Sequence, residues 1–228
     1  MAEPDTARFG VSKRPDLGAG LHAYVLDHGT PPDPVLSGLI AATREQFGDS
    51  AGMQVDAVQG AFLTMLTRLV APTLVVEVGT FTGYSSICFA RGLPEGGRVL
   101  CCDVSEEFTT LARRTWAEAG LDDRIELRLG PAAETLAALP DDTVIDMAFI
   151  DADKTGYRTY YEAIVARMRS GGLVVVDNVL WSGRVLDGSD MSPDTVAIRE
   201  INDHIASDER VDVVMVPIGD GLTLARVR

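Results

Sequence analysis

From Leu74 onward the chain alternates short apolar runs with longer stretches of helical spacing. Leu74–Val78, Val99–Asp103, Ile125–Leu129, Val144–Asp151 and Leu173–Asp177 read as strands. Between them, helical spacing runs to Ala90 after the loop 79–83, over Glu106–Ala119, over Pro131–Leu139 and up to Met168. A further helix is expected from about Asp194 to Ala206. Val211–Val216 and Leu222–Val227, joined by Gly219-Asp220-Gly221, read as a closing hairpin. Strands without polar alternation are those covered on both faces, which implies a parallel sheet with right-handed helical crossovers.

Before this region, Leu21–Leu26, Val35–Phe47 and Gln54–Val70 have helical spacing, the last ended by Pro72. Residues 1–20 show no periodicity and read as a loosely ordered arm. The expectation is one doubly wound α/β domain with an N-terminal helical extension, divided near residue 50 into residues 1–50 and 51–228.

Composition narrows the function. With 34 Asp and Glu against 20 Lys and Arg, the formal charge is −14. Such a surface does not suit nucleic acid or anionic lipid, both of which need basic patches. The opening MAEPDTARFG has no apolar core of a secretory signal, and no apolar run reaches the roughly 20 residues of a membrane span. Cys88, Cys101 and Cys102 lack the spacing of a disulfide framework or zinc site, so reduced, buried thiols in a cytoplasmic protein are expected. Only Lys13 and Lys154 are lysines; every other basic residue is Arg.

In doubly wound sheets ligands bind beyond the carboxyl ends of the strands. Glu77-Val78-Gly79-Thr80-Phe81-Thr82-Gly83 closes the first strand. Its two glycines let the backbone approach a ligand at a helix N-terminus, or serve turn chemistry alone. The spacing is neither the dinucleotide G-x-G-x-x-G nor a P-loop. Asp103 ends the second strand, where a carboxylate can hold a ribose diol or act as a helix N-terminal acid.

The fourth strand ends in Asp151-Ala152-Asp153-Lys154 and the fifth in Asp177-Asn178. Asp151, Asp177 and Asn178 offer hard oxygen ligands for Mg²⁺ or a similar cation, while Asp-Asn is also an ordinary turn pair. Two acidic strand ends side by side would repel without a cation, which favours the metal. Asp177 and Asn178 can share one ion only if the chain leaves the strand there, since consecutive strand residues face opposite ways. Lys154 can release a proton as Arg cannot, so it is a candidate general base; a Lys capping the helix or paired with Asp153 is the alternative.

Together EVGTFTGYS (77–85), CDVS (102–105), GPA (130–132), IDADK (150–154), DNVLWSG (177–183) and PIGDGLT (217–223) resemble the cation-dependent, S-adenosylmethionine (SAM)-dependent O-methyltransferases of the catechol and caffeoyl-CoA type. The resemblance implies a seven-stranded sheet with its last strand antiparallel, and a homodimer. It implies that SAM meets Val55, Glu77, Gly79, Thr80, Ser85, Asp103, Ala132 and Asp153. It places a divalent cation on Asp151, Asp177 and Asn178, with Lys154 and Asp151 catalytic. Residues 1–50 would shape the acceptor site and dimer contacts. With only Arg8, Lys13 and Arg14 basic near the N-terminus, a small vicinal diphenol fits better than a CoA thioester.

The expected reaction is methyl transfer from SAM to one hydroxyl of that diphenol. Two other readings remain at this point. An NAD-dependent oxidoreductase on the same sheet is disfavoured by the missing G-x-G-x-x-G and Ser/Tyr-x-x-x-Lys. A SAM-binding protein without catalysis is disfavoured by the intact Asp151, Lys154, Asp177, Asn178 set.

Overall fold

The computed structural model describes residues 18–228. The arm's first seventeen residues, with Arg8, Lys13 and Arg14, lie outside the described residues. Two helices come first: α1 (Ala19–Asp27) and α2 (Pro34–Phe47), the second capped by Asp33 accepting the Leu36 N–H with Pro34 in its first turn. A 3₁₀ stretch, Gly48–Met53, leads into α3 (Ala57–Val70). The sequence reading began α3 at Gln54; it begins three residues later because the Asp56 carboxylate accepts the Gln59 N–H and sets the N-cap there.

The remaining elements are β1 (Leu74–Val78), α4 (Tyr84–Gly92), β2 (Arg98–Asp103), α5 (Glu106–Glu118), β3 (Ile125–Leu129), α6 (Ala132–Ala137), β4 (Ile145–Ile150), α7 (Tyr157–Val165), β5 (Met168–Val176), α8 (Pro193–Ala206), β6 (Val211–Val216) and β7 (Leu222–Val227). Met168, read from sequence as the end of a helix, instead opens β5. It pairs with Ile145, and the register then jumps so that Met147 meets Leu173. The intervening residues bulge outward, and Arg169 bonds Asp146 at 2.5 Å.

The seven strands lie in the order β3-β2-β1-β4-β5-β7-β6. The first five are mutually parallel, and β7 runs antiparallel to both β5 and β6. The doubly wound sheet with an antiparallel last strand is therefore as expected. The hairpin folds so that its second strand joins β5 and its first becomes the sheet edge.

Alternation along the buried strands divides the core into two layers. Val76, Val78, Leu100, Cys102, Ala148, Ile150, Val174 and Val176 face α6, α7 and α8, including Leu136, Tyr161 and Ile198. Val75, Val99, Cys101, Met147, Phe149 and Val175 face the other side, with Leu39 of α2, Leu63 of α3, Ile87 of α4 and Leu111 of α5. The adjacent Cys101 and Cys102 thus enter opposite layers, and all three cysteines are free and buried. No helix among the described residues is long and apolar enough to cross a membrane.

Candidate active site

At the carboxyl ends of β1, β2, β4 and β5 lies a cavity of about 730 Å³. Val55, Gly79, Thr80, Ser85, Asp103, Ala132, Asp151, Asp153, Lys154, Asp177 and Asn178 all line it. Of the residues expected there, Glu77 alone is absent from the wall. By the alternation of β1 it shares the face of Val75, opposite Cys101 and Phe149, and it is fully buried. Burial pushes its carboxyl up to about 7, while the hydroxyls of Ser85, Ser86 and Thr80 and the Cys101 thiol pull it partly back. None of these groups closes a hydrogen bond to it, and both of its oxygens lack a partner. Thr80 and Ser85, whose hydroxyls neighbour the Glu77 carboxyl, also line the cavity.

The loop 79–83 is held by the fold itself. Gly79 has φ 92°, and a Cβ there would fall 1.8 Å from the Asp151 carbonyl oxygen. Gly83, at φ 83°, has no room either, because the Trp116 indole nitrogen lies 2.6 Å from a Cβ position. Both glycines are therefore required by internal packing. Asp103 secures the loop: one carboxylate oxygen accepts the N–H groups of Thr80 (2.9 Å) and Phe81 (2.8 Å), the other that of Ser105 (2.8 Å). Ser105, and not Asp103, caps α5. Gln54 ties the loop to α2 by donating to Thr82 (2.9 Å) and Thr43 (3.0 Å). Phe81, at φ 51°, packs edge-on against Phe108.

The other end of the cavity is polar. β5 stops at Val176, and Asn178 takes φ 58°, so the chain has left the strand where Asp177 and Asn178 must turn the same way. The Lys154 ammonium donates to Asp151 Oδ1 (3.1 Å), Tyr157 Oη (2.6 Å) and Asn178 Oδ1 (2.6 Å). It also lies 5.6 Å from the centre of the Trp181 ring. All three of its protons are engaged. Asp177 is buried, accepting from Gln59 Nε2 (2.5 Å) and from the Asn178 N–H (2.6 Å). Burial and the neighbouring Asp151 charge push Asp177 up to about 7. Burial also raises Asp151, against the pull of Lys154. Asp153 accepts the Tyr160 hydroxyl at 2.6 Å.

The fifth-strand exit loop is anchored by the hairpin. Leu180 N–H reaches the Asp220 carbonyl (3.0 Å), and Ser182 N–H reaches the Asp220 carboxylate (2.6 Å). Arg199 donates to the carbonyls of Arg184, Val185, Asp187 and Asp190, so the segment after Trp181 is internally braced.

A family model described as O-methyltransferase matches residues 27–228. The chain belongs to the SAM-dependent O-methyltransferase family. The methyltransferase is 41% identical over 205 residues to the Dictyostelium discoideum protein named probable caffeoyl-CoA O-methyltransferase 1, covering 88% of this chain and 89% of that one. It is 37% identical to the mouse catechol O-methyltransferase domain-containing protein 1, over 90% of this chain and 79% of that one. An O-methyltransferase from Bacillus cereus, solved in complex with S-adenosylhomocysteine (SAH), superposes with TM-score 0.85 at 31% identity, covering 92% and 97% of the two chains.

The methyltransferase carries a donor set that fits a hard divalent cation. Two carboxylates and an amide oxygen converge, with no His or Cys. Burial and the neighbouring Asp151 charge raise Asp177, while burial raises Asp151 against the pull of Lys154, an environment that a further positive charge would suit. Another cluster, Glu162, His204 and Asp208, includes no cavity residue; Arg210 and the Tyr161 hydroxyl already hold it.

Sequence reasoning did not single out Gln59, Tyr157, Tyr160, Trp181 or Asp220. Gln59 carried a usable signal: a polar residue on the buried face of an amphipathic helix. Asp220 lay inside a quoted motif but was read only as turn.

Proposed function

We propose that this enzyme methylates one hydroxyl of a small vicinal diphenol with SAM, assisted by a divalent cation such as Mg²⁺. The observation that carries this reading is the meeting of Asp151, Asp177, Asn178 and Lys154 at one end of the cavity whose other end is formed by the loop 79–83 and Asp103. The wall supports this acceptor class. Its charged residues are Asp56, Asp103, Asp151, Asp153, Asp177 and Asp220 against Lys154, a lining that disfavours a polyphosphate-bearing CoA ester.

SAM supplies the methyl group as a good electrophile. Val55, Gly79, Thr80, Ser85 and Ala132 would form its walls, Asp103 would meet the ribose and Asp153 the amino-acid end, with Glu77 acting from beneath Ser85. A divalent cation on Asp151, Asp177 and Asn178 supplies Lewis acidity, which lowers the pKa of a phenol. Lys154 Nζ, after releasing one of its three protons to bulk solvent, would take the phenol proton and return to the ammonium form. The phenolate oxygen then bonds the methyl carbon as the carbon–sulfur bond breaks, leaving an aryl methyl ether and SAH. Trp181, in the cavity wall beside Lys154, would flank the acceptor ring. Holding the two reactants in line can supply roughly 7–11 kcal/mol of the acceleration.

On the family resemblance, residues 1–50 would contribute to the acceptor site and to a homodimer; the described cavity wall itself begins at Gly52. The enzyme would work in the cytoplasm. The test is a methyl-transfer screen over diphenols and a CoA thioester, with Mg²⁺ or with EDTA. Diphenol turnover abolished by EDTA supports the reading. Full turnover in EDTA, or activity confined to the CoA ester, would overturn it.

A further inference from the structure

Asp177 has an unusual supporter. Gln59 belongs to α3, 118 residues earlier in the chain, yet its side-chain amide donates to Asp177 Oδ2 at 2.5 Å. Both side chains are buried, with relative exposures of 3% each. A carboxylate can only accept, so the amide presents its nitrogen there. The amide oxygen faces the opposite way, toward the β6–β7 turn: a Cβ on Gly219 would lie 2.5 Å from it. The amide is thus wedged between the end of β5 and that turn, and its helix is held in place by the Asp56 cap on the Gln59 N–H at 2.8 Å.

We propose that Gln59 is a positioning residue for the cation site, resting on the cation reading above. Asp177 has two oxygens, each with one partner: Gln59 on Oδ2 and the Asn178 N–H on Oδ1. These two bonds fix the carboxylate plane, and each oxygen keeps a lone pair for a cation. Without Gln59 the carboxylate can rotate and loses its only side-chain donor among the described residues. Outer partners of this kind typically carry ten- to hundredfold of metal affinity. Gln59 lines the same cavity, but both ends of its amide are engaged, the nitrogen by Asp177 and the oxygen against the Gly219 turn, so its effect is expected on the cation and not on the methyl donor.

The test uses Mn²⁺ as the probe, followed by electron paramagnetic resonance in the presence of SAH, with SAH affinity and thermal midpoint measured in parallel. Two variants act on the amide from opposite sides. Gln59→Met keeps length and volume but removes the donor. Gly219→Ala leaves the donor in place and pushes on the amide oxygen. The expected result is a roughly ten- to hundredfold weaker Mn²⁺ affinity in Gln59→Met, a smaller loss in Gly219→Ala, and SAH affinity within about twofold of wild type. Activity titrated with Mg²⁺ should shift to higher metal concentration and recover most of its kcat at saturation, which a merely loosened fold would not do. Unchanged Mn²⁺ affinity in Gln59→Met overturns the role of Gln59 while leaving the cation reading intact. A parallel loss of SAH and Mn²⁺ affinity overturns it too, because the cavity as a whole has then collapsed. A wild-type enzyme that does not bind Mn²⁺ overturns the cation reading and this inference together.

Discussion

The Asp151 carbonyl oxygen lies 1.8 Å from where a Cβ on Gly79 would stand. The first residue of the loop 79–83 and a residue of the proposed cation site are therefore in backbone contact across β1 and β4. The Asp151 N–H closes the same junction by bonding the Val78 carbonyl at 2.8 Å.

Gly79→Ala should consequently disturb both halves of the site. The new methyl group meets backbone that cannot swing aside, at a φ of 92° that Ala rarely adopts. A loss of more than about 2 kcal/mol of stability is expected. Gly96→Ala, at φ 75° and with nothing within 4 Å of a Cβ, is the control matched in backbone conformation. Thermal melts of the two variants decide this, and equal midpoints would refute the contact as a constraint.

Glu77 should make the ligand-free enzyme's stability depend on pH. Its pKa is raised from 4.5 in the free residue to about 7 in the fold, so folding favours the protonated form. Its contribution is fully present below about pH 4.5 and is lost as the pH rises to about 7. The full effect is about 3 kcal/mol. Glu77→Gln keeps the neutral shape, so the difference in thermal midpoint between variant and wild type should widen in the variant's favour across that interval. A constant difference would show that Glu77 does not titrate there.

Lys154→Arg keeps the positive charge but replaces a three-donor ammonium that can lose a proton by a planar group that cannot. A fall in kcat of roughly 10²–10⁴ is expected with SAM affinity within about twofold. Retention of kcat to within about tenfold would remove the general-base role and leave Lys154 as a structural tie among Asp151, Tyr157 and Asn178.

Asp220→Ala removes the carboxylate that accepts the Ser182 N–H at 2.6 Å but leaves the backbone bonds of the turn. Trp181 and Ser182 sit at φ 48° and 51°, conformations that need such support. Losing a charge-assisted hydrogen bond of about 1.5–3 kcal/mol should raise KM for the acceptor roughly tenfold or more, with KM for SAM unchanged. Steady-state kinetics with each substrate varied in turn will tell; a change in the SAM constant alone would place the turn's influence elsewhere.

Much was legible in the sequence because it is local. The apolar runs marked the strands, since a strand covered on both faces cannot carry polar alternation. Five strands and the closing hairpin stand where the pattern put them, with ends corrected by a residue or a few. The residues expected at strand ends do converge on one cavity, Glu77 excepted, because a parallel sheet gathers its carboxyl ends on one edge. What the sequence could not show depends on contacts between distant segments. The start of β5 at Met168 follows from pairing with Ile145, not from any pattern near Met168. The two loop glycines read as room for a ligand or as turn chemistry, and the fold adds a reason neither reading named, the Asp151 carbonyl and the Trp116 ring where a Cβ would stand. Asp103 could be placed at the strand end from sequence alone, yet its grip on the Thr80 and Phe81 N–H groups required β1 and β2 to lie side by side. Gln59 was one polar residue on a helix face until the fold set it 2.5 Å from Asp177. Hydrophobic period is written along the chain, whereas the partner of a buried polar group is chosen only when the layers close and every donor must find an acceptor.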